Sequence, residues 1–117
     1  MKALEGIRVI DLTQAMAAPF CTMNMADMGA DVIKVEPPGE GEPTRRPGPS
    51  QKGSHSGMFM AVNRNKRSLT ADLKRPEGVE LVRRLAATSD VFVQNYRPGW
   101  RNGSAWAMST YAPSTRG

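Results

Sequence analysis

Ile7-Arg8-Val9-Ile10-Asp11-Leu12, followed by Pro19 to Met28, Gly29 and Asp31-Val32-Ile33-Lys34-Val35, is the stretch that decides the fold. The first run is short, rich in β-branched residues and bounded by Gly6 and Thr13, the pattern of a buried strand. Pro19 suits the first turn of a helix. Cys21, Met25 and Met28 recur at i, i+4 and i+7 to give that helix one apolar face, and Gly29 supplies its C-cap. The second strand enters two residues after the helix, a connection typical of α/β units, so the two strands are predicted to run parallel with a right-handed crossover.

Working outward, Glu36 to Gly57 holds five Pro and five Gly and reads as a surface loop, either a mobile flap or a binding loop. Met58 to Val62 fits a helical turn or an extended piece equally well. Ser68 to Leu73 is a third strand. Pro76 starts a helix with Val79, Val82, Leu85 and Ala86 on one face and Glu80 and Arg84 as an i, i+4 pair. Asp90-Val91-Phe92-Val93-Gln94 is a fourth strand, ending in the turn Asn95-Tyr96-Arg97-Pro98-Gly99. The order β-α-β-loop-β-α-β predicts a Rossmann-like open α/β sheet within one domain.

A formal charge of +5 among 117 residues, with a pI near 9.9, favours an anionic partner without choosing between nucleic acid, acidic lipid and a phosphorylated metabolite. The single Cys21 rules out an internal disulfide and a Cys-based zinc site within one chain, which suits a reducing cytosol, and no metal is expected. No apolar run is long enough for a signal peptide or a membrane span, so the chain is expected to be cytoplasmic. Eight Met against seven aromatic residues suggest thioether packing; Met23, Met25 and Met28 read as core fillers.

In open α/β sheets ligands settle beyond the carboxyl ends of the strands. Here those segments are Thr13 to Ala18, Glu36 to Gly39, Asp72 to Arg75 and Asn95 to Gly99. The first lacks the glycines of a dinucleotide fingerprint, and no Gly-rich loop ends in Lys-Ser or Lys-Thr, which argues against NAD and ATP. Phosphate would fall instead to side chains, with Lys74 and Arg97 best placed. Arg64, Lys66 and Arg67 precede the third strand and read as solvated surface cations. His55, the only His, lies in the Gly/Pro/Ser-rich loop with no nucleophile beside it, and the aspartates are scattered, so no catalytic dyad is evident. Between Arg45 and Lys74 Phe59 is the only aromatic besides His55, which argues against stacking on nucleic acid.

Leu4-Glu5-Gly6-Ile7-Arg8-Val9, Gly29 to Glu36, Asn63-Arg64-Asn65-Lys66-Arg67-Ser68, Asp72-Leu73-Lys74-Arg75-Pro76-Glu77-Gly78 and Asp90 to Gly99, in that order, closely resemble the class III CoA-transferases. That family includes formyl-CoA transferase, the carnitine CoA-transferases and α-methylacyl-CoA racemase. The resemblance implies the N-terminal CoA-binding portion of an acyl-CoA:carboxylate CoA-transferase. It also implies acyl-CoA or CoA as ligand and, in the full-length family, an interlocked homodimer. By position, the family's CoA contacts fall on Met16 and Ala17, on Pro37, on Ala71, Asp72, Leu73 and Lys74, and on Asn95, Tyr96 and Arg97. Pro37 replaces a frequent Arg, and Met16 stands where such transferases carry a Gln. The residues that do the chemistry, an Asp that forms a mixed anhydride in the transferases or a His and Asp that move the α-proton in the racemases, lie beyond position 117 in typical members. No catalytic residue is therefore expected in this chain. The alternatives are an α-methylacyl-CoA racemase-type parent or a small basic interaction module without enzymatic role, and an incomplete sheet would favour self-association through exposed apolar surface.

The resemblance stops at Gly99, so residues 1–99 are expected to be the CoA-binding fragment. Residues 100–117 are rich in Gly, Ser, Thr and Pro without period, a composition expected of a disordered tail. Back-translation from Trp100 read one base out of phase gives A-E-R-L-G-L-G-Y-E-H-L-R-A-V-N-P-R, which is similar to the family's continuation and predicts a frameshift near codon 100.

Overall fold

The computed structural model describes residues 2–39, 41–42, 45, 51–52 and 55–96; Arg97 and the predicted tail 100–117 lie outside the described residues. The elements are β1 (Arg8–Leu12), α1 (Ala17–Asp27), β2 (Asp31–Glu36), β3 (Gln51–Lys52), β4 (His55–Ser56), α2 (Gly57–Val62), β5 (Arg67–Thr70), α3 (Pro76–Ala87) and β6 (Val91–Gln94). Strands β5, β2, β1 and β6 form one parallel sheet in that order, and β3 and β4 pair as a short antiparallel ladder. This is the open parallel α/β sheet that the alternation of elements predicts. His55, expected in a loop, falls in β4.

β1 and β2 are buried on both sides because alternate residues face different helices. Ile10, Leu12, Ile33 and Val35 pack with Val79 and Val82 of α3, supported by Leu69, Leu73, Leu85 and Phe92. Val9 and Val32 pack instead with Ala26 and Ala30. The register sets Asp11 beside Lys34, so two charged residues share the α1 side of the sheet with the valines.

Helix α1 differs from its predicted face. Pro19, Thr22, Met23 and Ala26 are buried at i, i+3, i+4 and i+7, while Cys21 is exposed and Met28 is 45% exposed. The rotation follows from Thr22, whose hydroxyl donates to Asp11 Oδ2 at 2.8 Å and so belongs inside despite its polarity. Gly29 closes the helix as expected. At φ +105 it lets its own N–H reach Ala26 O at 3.0 Å and that of Ala30 reach Met25 O at 3.1 Å, the paired bonds of a Schellman cap.

Helix α3 starts at Pro76 with Glu77 in its first turn and Arg84 in its last, each suited to the helix dipole. Gly78 has no room for a side chain. A Cβ there would lie 2.1 Å from Asp72 O, so the turn after β5 presses directly on the first turn of α3. β5 begins at Arg67 and ends at Thr70, shorter than its predicted span, because residues 71–75 turn away to enter that helix. Among the described residues no helix is long and apolar enough to cross a membrane.

Candidate functional site

The chain leaves β1 through α1 toward β2 on one side, and returns through α3 to β6 on the other, so the strand order reverses between β1 and β6. Such a reversal is where open α/β sheets take ligands, in a crevice beyond the carboxyl ends of the two strands. Asn95 ties its walls together. Its Oδ1 accepts the Gln14 N–H at 2.9 Å and its Nδ2 donates to Gln14 O at 2.9 Å, as a neighbouring strand would.

All the predicted contact positions within the described residues lie in segments that follow the strands of this sheet. Met16 and Ala17 follow β1, Pro37 follows β2, residues 71–74 follow β5, and Asn95 and Tyr96 follow β6. They are not equivalent. Met16, Ala17, Pro37, Lys74 and Asn95 are exposed; Asp72, Leu73 and Tyr96 are half-buried; Ala71 is buried. Ala71 donates its N–H to Glu36 O at 3.0 Å, and Leu73 packs on the apolar core, so these two anchor the turn. Asp72 Oδ1 accepts the Lys74 N–H at 3.0 Å and shapes it. Lys74 is left facing solvent as a cation able to meet an anionic ligand.

Beneath the loop after β1 lies a buried polar cluster. Lys66, predicted to be a solvated cation, has only 2% of its side chain exposed and pairs with the fully buried Asp11 at 2.9 Å. Arg64 and Arg67 do stay at the surface, on Asp27 and Asp31. Taking ions out of water costs several kcal/mol each unless their remaining hydrogen-bonding capacity is met. Here it is met. Lys66 Nζ also donates to Asn63 Oδ1 at 2.7 Å and Pro19 O at 3.1 Å. Asp11 accepts the Thr13 N–H at 2.8 Å and the hydroxyls of Thr13 and Thr22. Lys34 Nζ donates to Thr13 O at 2.8 Å.

Charge states follow from these contacts. Burial alone would raise the Asp11 carboxyl, but Lys34 and Lys66, with the Thr13 bond, hold it below the usual carboxylate range. Burial lowers the Lys66 ammonium against the pull of Asp11. Burial also pushes the Tyr96 phenol up, and the Asp11 and Glu42 carboxylates add to it. Beside the cluster, burial would raise Glu36. Arg45 Nε at 2.6 Å, Ser68 Oγ at 2.5 Å and the Glu42 N–H at 2.9 Å outweigh burial and hold Glu36 at about 2. Arg45 in turn lies 3.8 Å above the Phe59 ring.

This cluster was readable only in part. Asp11 and Lys34 each stand as the charged residue at matching depth inside an apolar strand, a signal of two side chains facing each other in a core. Nothing in the spacing of Lys66 or Glu42 marks them as buried. The cluster fixes the segment 13–19 from outside it: Lys34 holds Thr13, Asn95 holds Gln14, Glu42 Oε1 holds the Ala15 N–H at 2.6 Å, and Lys66 holds Pro19. The segment is thus held at four points, with Met16 and Ala17 exposed beyond the carboxyl end of β1.

The model of CoA-transferase family III matches residues 4–109. The chain belongs to CoA-transferase family III. Among its family relatives, mouse "Succinyl-CoA:glutarate CoA-transferase" is 54% identical over 99 residues, covering 85% of this chain and 23% of that protein. "Formyl-CoA:oxalate CoA-transferase" of Afipia carboxidovorans is 44% identical over 107 residues, covering 90% of this chain and 25% of its own length. A crystal structure of a CAIB/BAIF family protein from Brucella suis superposes with a TM-score of 0.83 at 40% identity, over 94% of this chain and 30% of that one. This family III chain thus spans about a quarter of the length of the curated relatives it matches.

Proposed function

We propose that this chain is the CoA-binding portion of an acyl-CoA:carboxylate CoA-transferase. The observation that carries the reading is the common location of residues 16–17, 37, 71–74 and 95–96 beyond the carboxyl ends of one parallel sheet. Membership of the family supports CoA as the ligand. In this reading exposed Lys74 supplies charge to the phosphates together with Arg97. Met16, Ala17, Asn95 and Tyr96 line the crevice, and the turn 71–74 and Pro37 border its other side. The activities for which these relatives are named, transfer to glutarate and to oxalate, favour a carboxylate acceptor over α-proton exchange of the racemase type.

The chemical step belongs to the longer parent. A carboxylate there attacks the thioester carbonyl, CoA leaves as its thiolate, and a mixed anhydride forms before the acyl group is passed on. These 117 residues are proposed to perform no turnover by themselves. Consistent with that, the buried carboxylates among the described residues are already engaged: Asp11 by Lys66, Glu36 by Arg45 and Glu42 by Ala15. Assembly as a homodimer is likewise proposed for the longer parent.

Isothermal titration of the chain with CoA, and separately with a random-sequence oligonucleotide, tests the reading. CoA is expected to bind, and Lys74→Ala with Arg97→Ala to abolish binding. Equal, salt-sensitive binding to any polyanion would instead make the chain a basic interaction module.

A further inference from the structure

The loop after β2 reaches back onto the loop after β1, and the contact coincides with an unusual backbone. Ala15 has φ +70, in the left-handed region that a Cβ disfavours. Such a conformation persists only where its surroundings over-determine it. Its N–H donates to Glu42 Oε1 at 2.6 Å, a charge-assisted bond. Glu42 is 1% exposed, and its own N–H is held by Glu36 Oε2, which Arg45 fixes in turn. The carboxylate is thus anchored before it touches the loop.

On one side of Ala15, Gln14 is tied to Asn95; on the other, Met16 begins α1 with no side-chain cap, and its carbonyl accepts the Phe20 N–H at 2.9 Å. Ala15 is where the chain turns from the line of β1 into α1. The direction of that turn decides how Met16 and Ala17 are presented to the crevice. Glu42 itself is too buried to meet a ligand, and its charge would repel a phosphate.

We propose that Glu42 is a positioning residue of the CoA site: by accepting the Ala15 N–H it keeps Ala15 left-handed and so sets Met16 and Ala17 at the crevice mouth. This rests on the CoA reading above. Removing the carboxylate frees Ala15 to relax toward negative φ and swings the start of α1 out of place. A glycine at position 15 adopts positive φ unaided, so it makes the acceptor dispensable.

The test is CoA titration of the full chain, with thermal unfolding recorded for each variant. Glu42→Ala is expected to stay folded and to bind CoA at least tenfold more weakly. Glu42→Gln, which keeps an acceptor oxygen, regains most of that affinity. In an Ala15→Gly background the loss caused by Glu42→Ala shrinks to threefold or less, a coupling that general destabilisation would not produce. A folded Glu42→Ala that binds as tightly as the unaltered chain overturns the positioning role alone. If Glu42→Ala does not fold, the Ala15→Gly/Glu42→Ala double variant decides: recovery of both folding and CoA affinity supports the role, and failure to recover overturns it. An unaltered chain that does not bind CoA overturns the CoA reading, and this role with it.

Discussion

The two faces of the central sheet are built on opposite principles. Toward α3 the sheet presents Ile10, Leu12, Ile33 and Val35 to Val79 and Val82, a buried apolar contact. Toward α1 it begins with Val9 and Val32 and then, nearer the carboxyl ends of the strands, becomes Asp11, Lys34 and Glu36, all buried. The first face is non-directional and stabilises the fold through area removed from water. The second is directional: its ions and hydroxyls fix the loop 13–19 where the crevice opens. An apolar interior fills space but does not orient a backbone carbonyl or N–H; the charged interior does, at a cost in desolvation that only full pairing offsets.

The largest effect should come from breaking the charged face. Lys66→Met leaves Asp11 short of its partner and is expected to cost about 4 kcal/mol in urea unfolding. Asp11→Asn added to it restores at least half of that loss, since the amide oxygen still accepts from Thr13 while its Nδ2 can donate to the Thr22 hydroxyl, with no charge left to compensate. A double variant as unstable as the two single losses summed would show that the pair is not coupled. On the apolar face Leu12→Ala should cost about 3 kcal/mol by transfer and cavity, with no partner able to rescue it.

The next effect separates the faces by pH. Glu36 is held at about 2 against an ordinary 4.5, so its contribution is complete above pH 4.5 and is lost as pH falls from 4.5 toward 2. That contribution is about 3 kcal/mol. Urea unfolding midpoints of the unaltered chain should fall across that window, and Glu36→Gln should flatten the slope. An equal slope in the variant would move the acid sensitivity elsewhere. The smallest effect is expected at the surface. Glu80→Ala removes exposed pairs to Arg83 and Arg84 and should change stability by less than about 0.5 kcal/mol.

This contrast also explains what the sequence discloses. The apolar face is legible because local composition and period report burial: the strands at Arg8–Leu12 and Asp31–Glu36 follow from short β-branched runs, and the helix from Pro76 follows from its apolar spacing. The charged face defeats the same reasoning. Lys66 sits in a basic run and Thr22 on a helix whose Met and Cys residues suggest another face; each is buried for a partner 55 or 11 positions away in sequence, which no local period records. The strand-end rule points to the segments 13–18, 36–39, 72–75 and 95–99, because it depends on topology. It cannot tell that Ala71 and Leu73 anchor the turn while Lys74 faces outward, which requires knowing how α3 packs against residue 72.

The most direct test of the account is the amide NMR spectrum of the chain on titration with CoA. Shifts concentrated in residues 14–17, 71–74 and 95–97 are predicted, with Arg64 and Arg67 unmoved. Shifts confined to the basic surface around Arg64 and Arg67, or none at all, would contradict it.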